Sequence, residues 1–210
     1  MRDEDVLEEG EKRGPFIYVL AVLLVLLMVI FIIPVGSIKW ISQPKDIPDV
    51  NEVLVGAPES GDLLKLGVLG NARDLEITPF LKHVGSRIAS SCEGVSENCY
   101  SKAMYLFVRD NIKYVQDPDG EYIEGPKAVL LSGSADCDGQ AVLLYALLKS
   151  VGVESRIAVT NDHAFVQANL PTKSYFYRPV MRWVSMDPTC KSCDIGEVDS
   201  RNLNEIVGYV

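Results

Sequence analysis

The chain has 210 residues, a formal net charge of −9 and a pI near 4.8. That length accommodates one membrane segment and one domain large enough to bury a core. So acidic a balance excludes a basic, phosphate-tracking face, and no nucleic-acid partner is expected.

Residues 1–15 read as a short charged tail. From Gly14 to Ile38 there is no charged side chain, and Phe16 to Ile33 is almost entirely Leu, Val, Ile, Phe, Ala and Met. A helix needs about 20 apolar residues to cross a hydrocarbon layer of roughly 30 Å, so one transmembrane helix is expected over residues 16–38, with the lipid bilayer as its partner. A cleaved signal peptide is the alternative, since Val35-Gly36-Ser37 offers small residues for a peptidase; the apolar run exceeds the length of a signal h-region and favours a retained anchor. Lys12 and Arg13 before the run balance Lys39 and Lys45 after it, which leaves orientation to other evidence.

Residues 39–61 carry Pro44, Pro48, Pro58, Gly56 and Gly61 and read as a stalk leading into a domain over 62–210, with its core over 96–190. Asp62 to Leu69 is expected to form a short helical turn. Thr78-Pro79 is a helix start, a capping hydroxyl followed by proline at the first helical position, and Phe80, Val84 and Ile88 then define one buried face. His83 sits beside that face as a partly buried structural residue. A second helix is expected from Ser96 to Ile112, with Cys92 in the connection before it, and Asp117-Pro118-Asp119-Gly120 is a strong turn.

Five cysteines fall into two short-range pairs, Cys92 with Cys99 and Cys190 with Cys193, and one remainder, Cys137. Two disulfides would pin the helical hairpin and a turn, and would place the domain in an oxidising compartment outside the cytoplasm. Two other readings stay open. The four paired cysteines together could ligate zinc, although the Cys92 to Cys99 spacing is wide for that. Cys190-Lys191-Ser192-Cys193 could also be a redox CxxC, although it follows a strand rather than opening a helix.

Ser132 to Val151 places Cys137 after a small, polar lead-in and at the first turn of a largely apolar helix, with Asp136 and Asp138 on either side. The unpaired N–H groups and positive dipole end of a helix start favour an anion, so a thiolate is at home there. A lone cysteine in that place is more often structural, and only a neighbouring base makes it a nucleophile.

Such a base emerges from the next strands. Ser155 to Thr160 reads as a strand, followed by His163 to Leu170 and Val180 to Asp187, joined by a loop containing Pro171 and Pro179. Paired antiparallel with Leu170 opposite Val180, they collect Ala164, Val166, Leu170, Val180, Val184 and Met186 on one face. His163 then falls opposite Asp187 on the other face, with Cβ atoms about 4.5 to 5.5 Å apart, within reach of an imidazole–carboxylate hydrogen bond. Of the two histidines in the chain, His163 alone gains a carboxylate partner by this construction. Gly196 to Val210 reads as a peripheral tail or a last helix around Leu203 and Ile206.

The blocks Phe107-Val108-Arg109-Asp110-Asn111-Ile112-Lys113-Tyr114, Ser132-Gly133-Ser134-Ala135-Asp136-Cys137-Asp138-Gly139-Gln140-Ala141, Asp162-His163-Ala164-Phe165-Val166 and Trp183-Val184-Ser185-Met186-Asp187-Pro188-Thr189 occur in this order. Together they resemble the transglutaminase-like superfamily of papain-type cysteine enzymes, and within it an archaeal group of membrane-anchored proteins. The resemblance implies an α+β, papain-like/transglutaminase-like core in which the nucleophile helix packs on an antiparallel sheet. It implies Cys137 as nucleophile, His163 as base and Asp187 as orienter, with no cofactor and no metal in the chemistry. Phe165 departs from the family, which often carries tryptophan there. The expected activity is acyl transfer through a thioester on an amide bond of a protein or peptide substrate, ending in hydrolysis or transamidation. The alternative is an inactive binding or assembly module of the same fold at the membrane.

Overall fold

The computed structural model describes residues 15–32, 43–59, 69–116, 123–173, 179–199 and 206–210. The chain divides into two units, Met1–Lys39 and Trp40–Val210. The first contains α1 (Pro15–Ile32), 18 residues without a charge, whose described side chains from Phe16 to Met28 are exposed. At 1.5 Å per residue α1 rises about 27 Å, against roughly 30 Å of hydrocarbon. Among the described residues no helix is long and apolar enough to cross a membrane. The end of the predicted span, residues 33–38, lies outside the described residues, as does the charged tail over 1–14.

The second unit opens differently from the predicted stalk. Residues 43–59 carry α2 (Val50–Leu54), closed by a capping box in which Asp49 accepts the Glu52 N–H and Glu52 accepts the Asp49 N–H, each at 2.9 Å. Val53 is fully buried in the domain core, and the Lys45 N–H donates to Ser91 O at 2.8 Å. Prolines and glycines suggested a linker; the capping box and one well-placed valine instead fasten this stretch to the domain. The predicted turn over Asp62–Leu69 is mostly outside the described residues, and a 3-10 turn follows over Leu69–Asp74.

Helix α3 (Pro79–Ala89) starts where expected, with Thr78 Oγ1 accepting the Leu81 N–H, and buries Phe80, Leu81, Val84 and Ile88. His83 Nε2 bonds Val55 O at 3.1 Å, a structural tie to the segment after α2. Helix α4 (Glu97–Asn111) is capped by Ser96 and buries Ala103, Met104, Tyr105, Phe107 and Val108. A two-residue strand β1 (Lys113–Tyr114) leaves its end. Helix α5 (Pro126–Ser132) and strand β2 (Ser134–Ala135) follow, with β2 parallel to β1 so that Tyr114 faces Ala135. None of β1, β2 and α5 has the length to produce a periodic apolar pattern.

Helix α6 (Cys137–Ser150) is the centre of the domain. Every residue from Gly139 to Leu148 is buried, as expected of a helix that is apolar on all sides and surrounded by protein. It packs on α3, α4, α5 and the strands β3 (Ser155–Val159) and β4 (Ala164–Lys173). Gly85 lets α3 come close: a Cβ there would overlap the Ser150 side chain.

Strand β5 (Pro179–Met186) completes a four-stranded antiparallel sheet in the order β5-β4-β3-β6. β6 (Gly208–Tyr209) pairs with β3, so the last described residues form an edge strand where a helix around Ile206 was one expectation; Leu203 lies outside the described residues. The Arg156 guanidinium holds this edge, stacked 3.7 Å from the Tyr209 ring and 4.0 Å from that of Trp183. The expected α+β core, with the cysteine-bearing helix packed on an antiparallel sheet, is present.

The β4–β5 register differs from the predicted one by two residues. Val166 faces Met186, Ala168 faces Val184 and Leu170 faces Arg182, while Pro171 continues the strand opposite Met181 rather than entering a loop. A two-residue displacement preserves every side chain's face. Ala168 meets an apolar partner in this register, where the predicted one set it against Arg182.

Candidate active site

Three segments converge at the start of α6. β1 and β2 deliver the chain to Asp136, whose side chain accepts the Gly139 N–H at 2.9 Å and caps the helix. Cys137 is therefore the first helical residue, with a backbone N–H that the helix leaves unpaired. Its Sγ lies 3.7 Å from Asp138 Oδ1. Gly139 permits close approach of the helix to β2, since a Cβ there would come 2.7 Å from the Ala135 Cβ. Gln140 Nε2 then donates to Ala135 O at 3.1 Å and ties the lead-in to the second turn.

His163 ends the short connection from β3, held by its carbonyl, which accepts the Thr160 N–H at 2.8 Å and the Thr160 hydroxyl at 3.2 Å. Its ring stands beside that of Phe165, with centroids 6.3 Å apart and planes at 26°. Phe165, at the position where tryptophan is common in the family it resembles, is buried and flanks the imidazole. Asp187 is the first residue after β5 and is fully buried.

His163 Nε2 and Asp187 Oδ2 are 3.0 Å apart. The pair is diagonal rather than directly opposed: extended by one step, the observed register sets Asp187 against Phe165. Both residues stand just beyond their strand ends, where the chain turns and the side chains close the gap. With Nε2 occupied by the carboxylate, Nδ1 is the ring nitrogen left for Cys137.

The electrostatics fit this arrangement. Burial pulls the His163 pKa down, but hydrogen bonds to Asp187 and Cys137, and their negative charge, outweigh it and hold it at about 9. Burial pushes Asp187 up, and the hydrogen bonds from His163 and Thr189 together with the His163 charge bring it below its ordinary value. Tyr114, half exposed beside Ala135, is pushed up by burial first and then by Cys137, Asp136 and Asp138, which places its phenol in the field of the same site.

All three predicted site residues thus come together. The four remaining cysteines form disulfides, Cys92–Cys99 with Cα atoms 6.0 Å apart and Cys190–Cys193 at 5.4 Å. This corrects the zinc alternative: sulfurs joined in pairs offer no thiolates to a metal, and among the described residues no cluster of histidine, cysteine and carboxylate side chains could hold one. Cys137 is the free thiol.

The sequence reading missed the supports behind Asp187. Tyr105 OH donates to Cys193 O at 2.9 Å and approaches Asp187 O at 3.4 Å, and burial pushes its own pKa to about 12. Arg109 Nη1 donates to the same Cys193 carbonyl at 2.9 Å. The signal for one of them lies in Asp187-Pro188-Thr189, where an aspartate followed two residues later by a hydrogen-bonding group marks an Asx-turn.

Residues 82–188, just over half of the chain, match the family described as the transglutaminase-like superfamily. No curated protein matches the chain. Among solved structures it is similar to a candidate protease from Parabacteroides distasonis, at 16% identity and a TM-score of 0.41, covering 49% of this chain and 23% of that one. It is also similar to a candidate cysteine protease from Cytophaga hutchinsonii, at 16% identity and 0.40, covering 60% and 46%. Legionella pneumophila LapG is similar at 16% identity and 0.40, covering 70% and 75%. The chain therefore spans less than half the length of the first two.

Proposed function

Because the chain belongs to the transglutaminase-like superfamily, we propose that it is a membrane-anchored cysteine enzyme that acts on amide bonds by acyl transfer through a thioester. The observation that carries this reading is the buried 3.0 Å contact between His163 and Asp187, with Cys137 near enough to help hold the His163 pKa up at about 9.

In the proposed reaction Cys137 Sγ attacks the carbonyl carbon of an amide in a protein or peptide. Asp187 fixes the imidazole so that Nδ1 faces the sulfur, and a charged His163 beside it favours the thiolate. The backbone N–H of Cys137, at the positive end of α6, donates to the oxyanion that develops on the carbonyl oxygen. His163 gives its proton to the leaving amine as the tetrahedral intermediate collapses to a thioester. The imidazole then takes a proton from the attacking water or amine, and the thiolate leaves as the acid or the new amide forms.

The location rests on two features. In sequence the stretch from Pro15 to Ile38 carries no charge and meets the length of a span, which supports a single-pass anchor. Two disulfides support an extracytoplasmic position for the domain.

The test is turnover by the full chain in detergent micelles against a panel of peptide amides, with and without a primary amine as acceptor. Amide cleavage or amine incorporation that disappears in Cys137→Ala is the expected result. Absence of any thioester or turnover across the panel, together with undiminished biological function of Cys137→Ala, would favour the binding or assembly module instead.

A further inference from the structure

Only one of the two carboxylate oxygens of Asp187 faces the imidazole. The other, Oδ1, accepts the Thr189 hydroxyl at 2.7 Å and the Thr189 backbone N–H at 3.2 Å. Resting on the acyl-transfer reading above, we propose that Thr189 is a positioning residue, whose hydroxyl locks the Asp187 carboxylate so that Oδ2 stays on His163 Nε2.

The need for such a lock is physical. The terminal torsion of an aspartate is broad, so one hydrogen bond leaves the carboxylate free to swing about its own axis. Asp187 is fully buried, where an oxygen without a donor is costly and water cannot substitute. Anchoring Oδ1 from the side away from the imidazole leaves Oδ2 one orientation.

Thr189 is itself held rigidly. Pro188 fixes the backbone between the two residues. The Cys190 N–H donates to Asp187 O at 3.2 Å, and the Cys190–Cys193 disulfide closes the turn. That turn is fastened to the C-terminal half of α4: Tyr105 OH and Arg109 Nη1 both donate to Cys193 O at 2.9 Å, and Lys191 Nζ donates to the carbonyls of Arg109 and, at 3.2 Å, Ile112. Thr189 acts through Asp187, and its hydroxyl is the part a side-chain substitution removes, since the backbone N–H persists in every variant.

The experiment follows the histidine rings of the full chain in detergent micelles by NMR across pH. The chain has two histidines, so two ring signals appear, and His83→Gln assigns them. Thr189→Val, which keeps the shape and loses the hydroxyl, is expected to lower the His163 midpoint by about half to one pH unit, and Thr189→Ser to leave it at the wild-type value. Thr189→Ala serves as a second hydroxyl-free variant if the valine disturbs folding, as judged by circular dichroism. A midpoint unmoved in both hydroxyl-free variants, while Asp187→Asn lowers it, overturns the proposal. This readout needs no turnover: if the enzyme reading fails, the titration still decides the role of Thr189. If turnover is found, Thr189→Val is expected to lower kcat roughly tenfold with KM unchanged and Thr189→Ser to restore it. Loss confined to KM would also contradict a positioning role.

Discussion

Replacing Asp187 by asparagine tests the pair that the whole site depends on, through stability rather than activity. His163 titrates at about 9 in the folded chain, against 6.5 for an ordinary histidine. The difference is about 2.5 pH units, and at 1.36 kcal/mol for each it amounts to about 3 kcal/mol. Because the folded pKa is the higher one, the folded state holds the proton more tightly than the unfolded state. The stabilisation is therefore complete below about pH 6.5 and is lost as pH rises through about 9. The side chain of His163 is 8% exposed, so solvent screens little of this. Asparagine removes the carboxylate's share of the charge that opposes the burial penalty and leaves that of Cys137, so the His163 pKa falls toward its ordinary value. Urea unfolding of the full chain in micelles, followed by tryptophan fluorescence from about pH 6 to 9.5, should show wild type losing more stability than Asp187→Asn across that window, by at most about 3 kcal/mol. Equal pH dependence in the two proteins would refute the coupled pair.

Gly139→Ala places a Cβ within 2.7 Å of the Ala135 Cβ, so it should destabilise the domain by roughly 1–3 kcal/mol and slow Cys137 alkylation by shifting the start of α6; thermal melts and labelling rates read the two effects. Asp136→Ala removes the acceptor of the Gly139 N–H and should cost about 1 kcal/mol in urea unfolding, with Asp136→Asn recovering most of it. The paired Cys92→Ala and Cys99→Ala substitutions open a loop of seven-residue separation at the start of α4; they should cost about 2.5 kcal/mol in urea unfolding and leave the His163 titration unchanged.

The place of Cys137 at a helix start was legible because three local signals coincide there: a polar lead-in, a capping aspartate and an apolar helix behind them. The imidazole and carboxylate were legible for a subtler reason. Apolar alternation determines which residues share a face, but it is blind to a displacement of two residues, which changes every partner and no face. His163 and Asp187 were therefore assigned to the right face and to each other, but as a directly opposed pair rather than a diagonal one. The true register is chosen by details such as Ala168 meeting Val184 instead of Arg182, and its consequence is a diagonal pair beyond the strand ends.

The least legible parts are those whose order comes from tertiary contacts. Proline and glycine over 39–61 read as a stalk, yet within it Val53 is buried and Arg87 Nη2 reaches Glu52 O at 3.2 Å. Gly208–Tyr209 becomes a strand because β3 offers an edge and Arg156 a cation between two rings, neither of which is encoded within the last five residues. The supports of Asp187 come from α4, some eighty residues earlier in sequence, at Tyr105 and Arg109. Within α4 those side chains look like an ordinary aromatic and an ordinary surface cation.

The proposed reaction depends on His163 activating Cys137. Iodoacetamide modification of the full chain under non-reducing conditions reports on Cys137 alone, because the other four cysteines are in disulfides. At about pH 6 wild type should alkylate rapidly and His163→Ala at least tenfold more slowly, with the two rates converging above about pH 9. Equal rates in the two proteins at about pH 6 would contradict it.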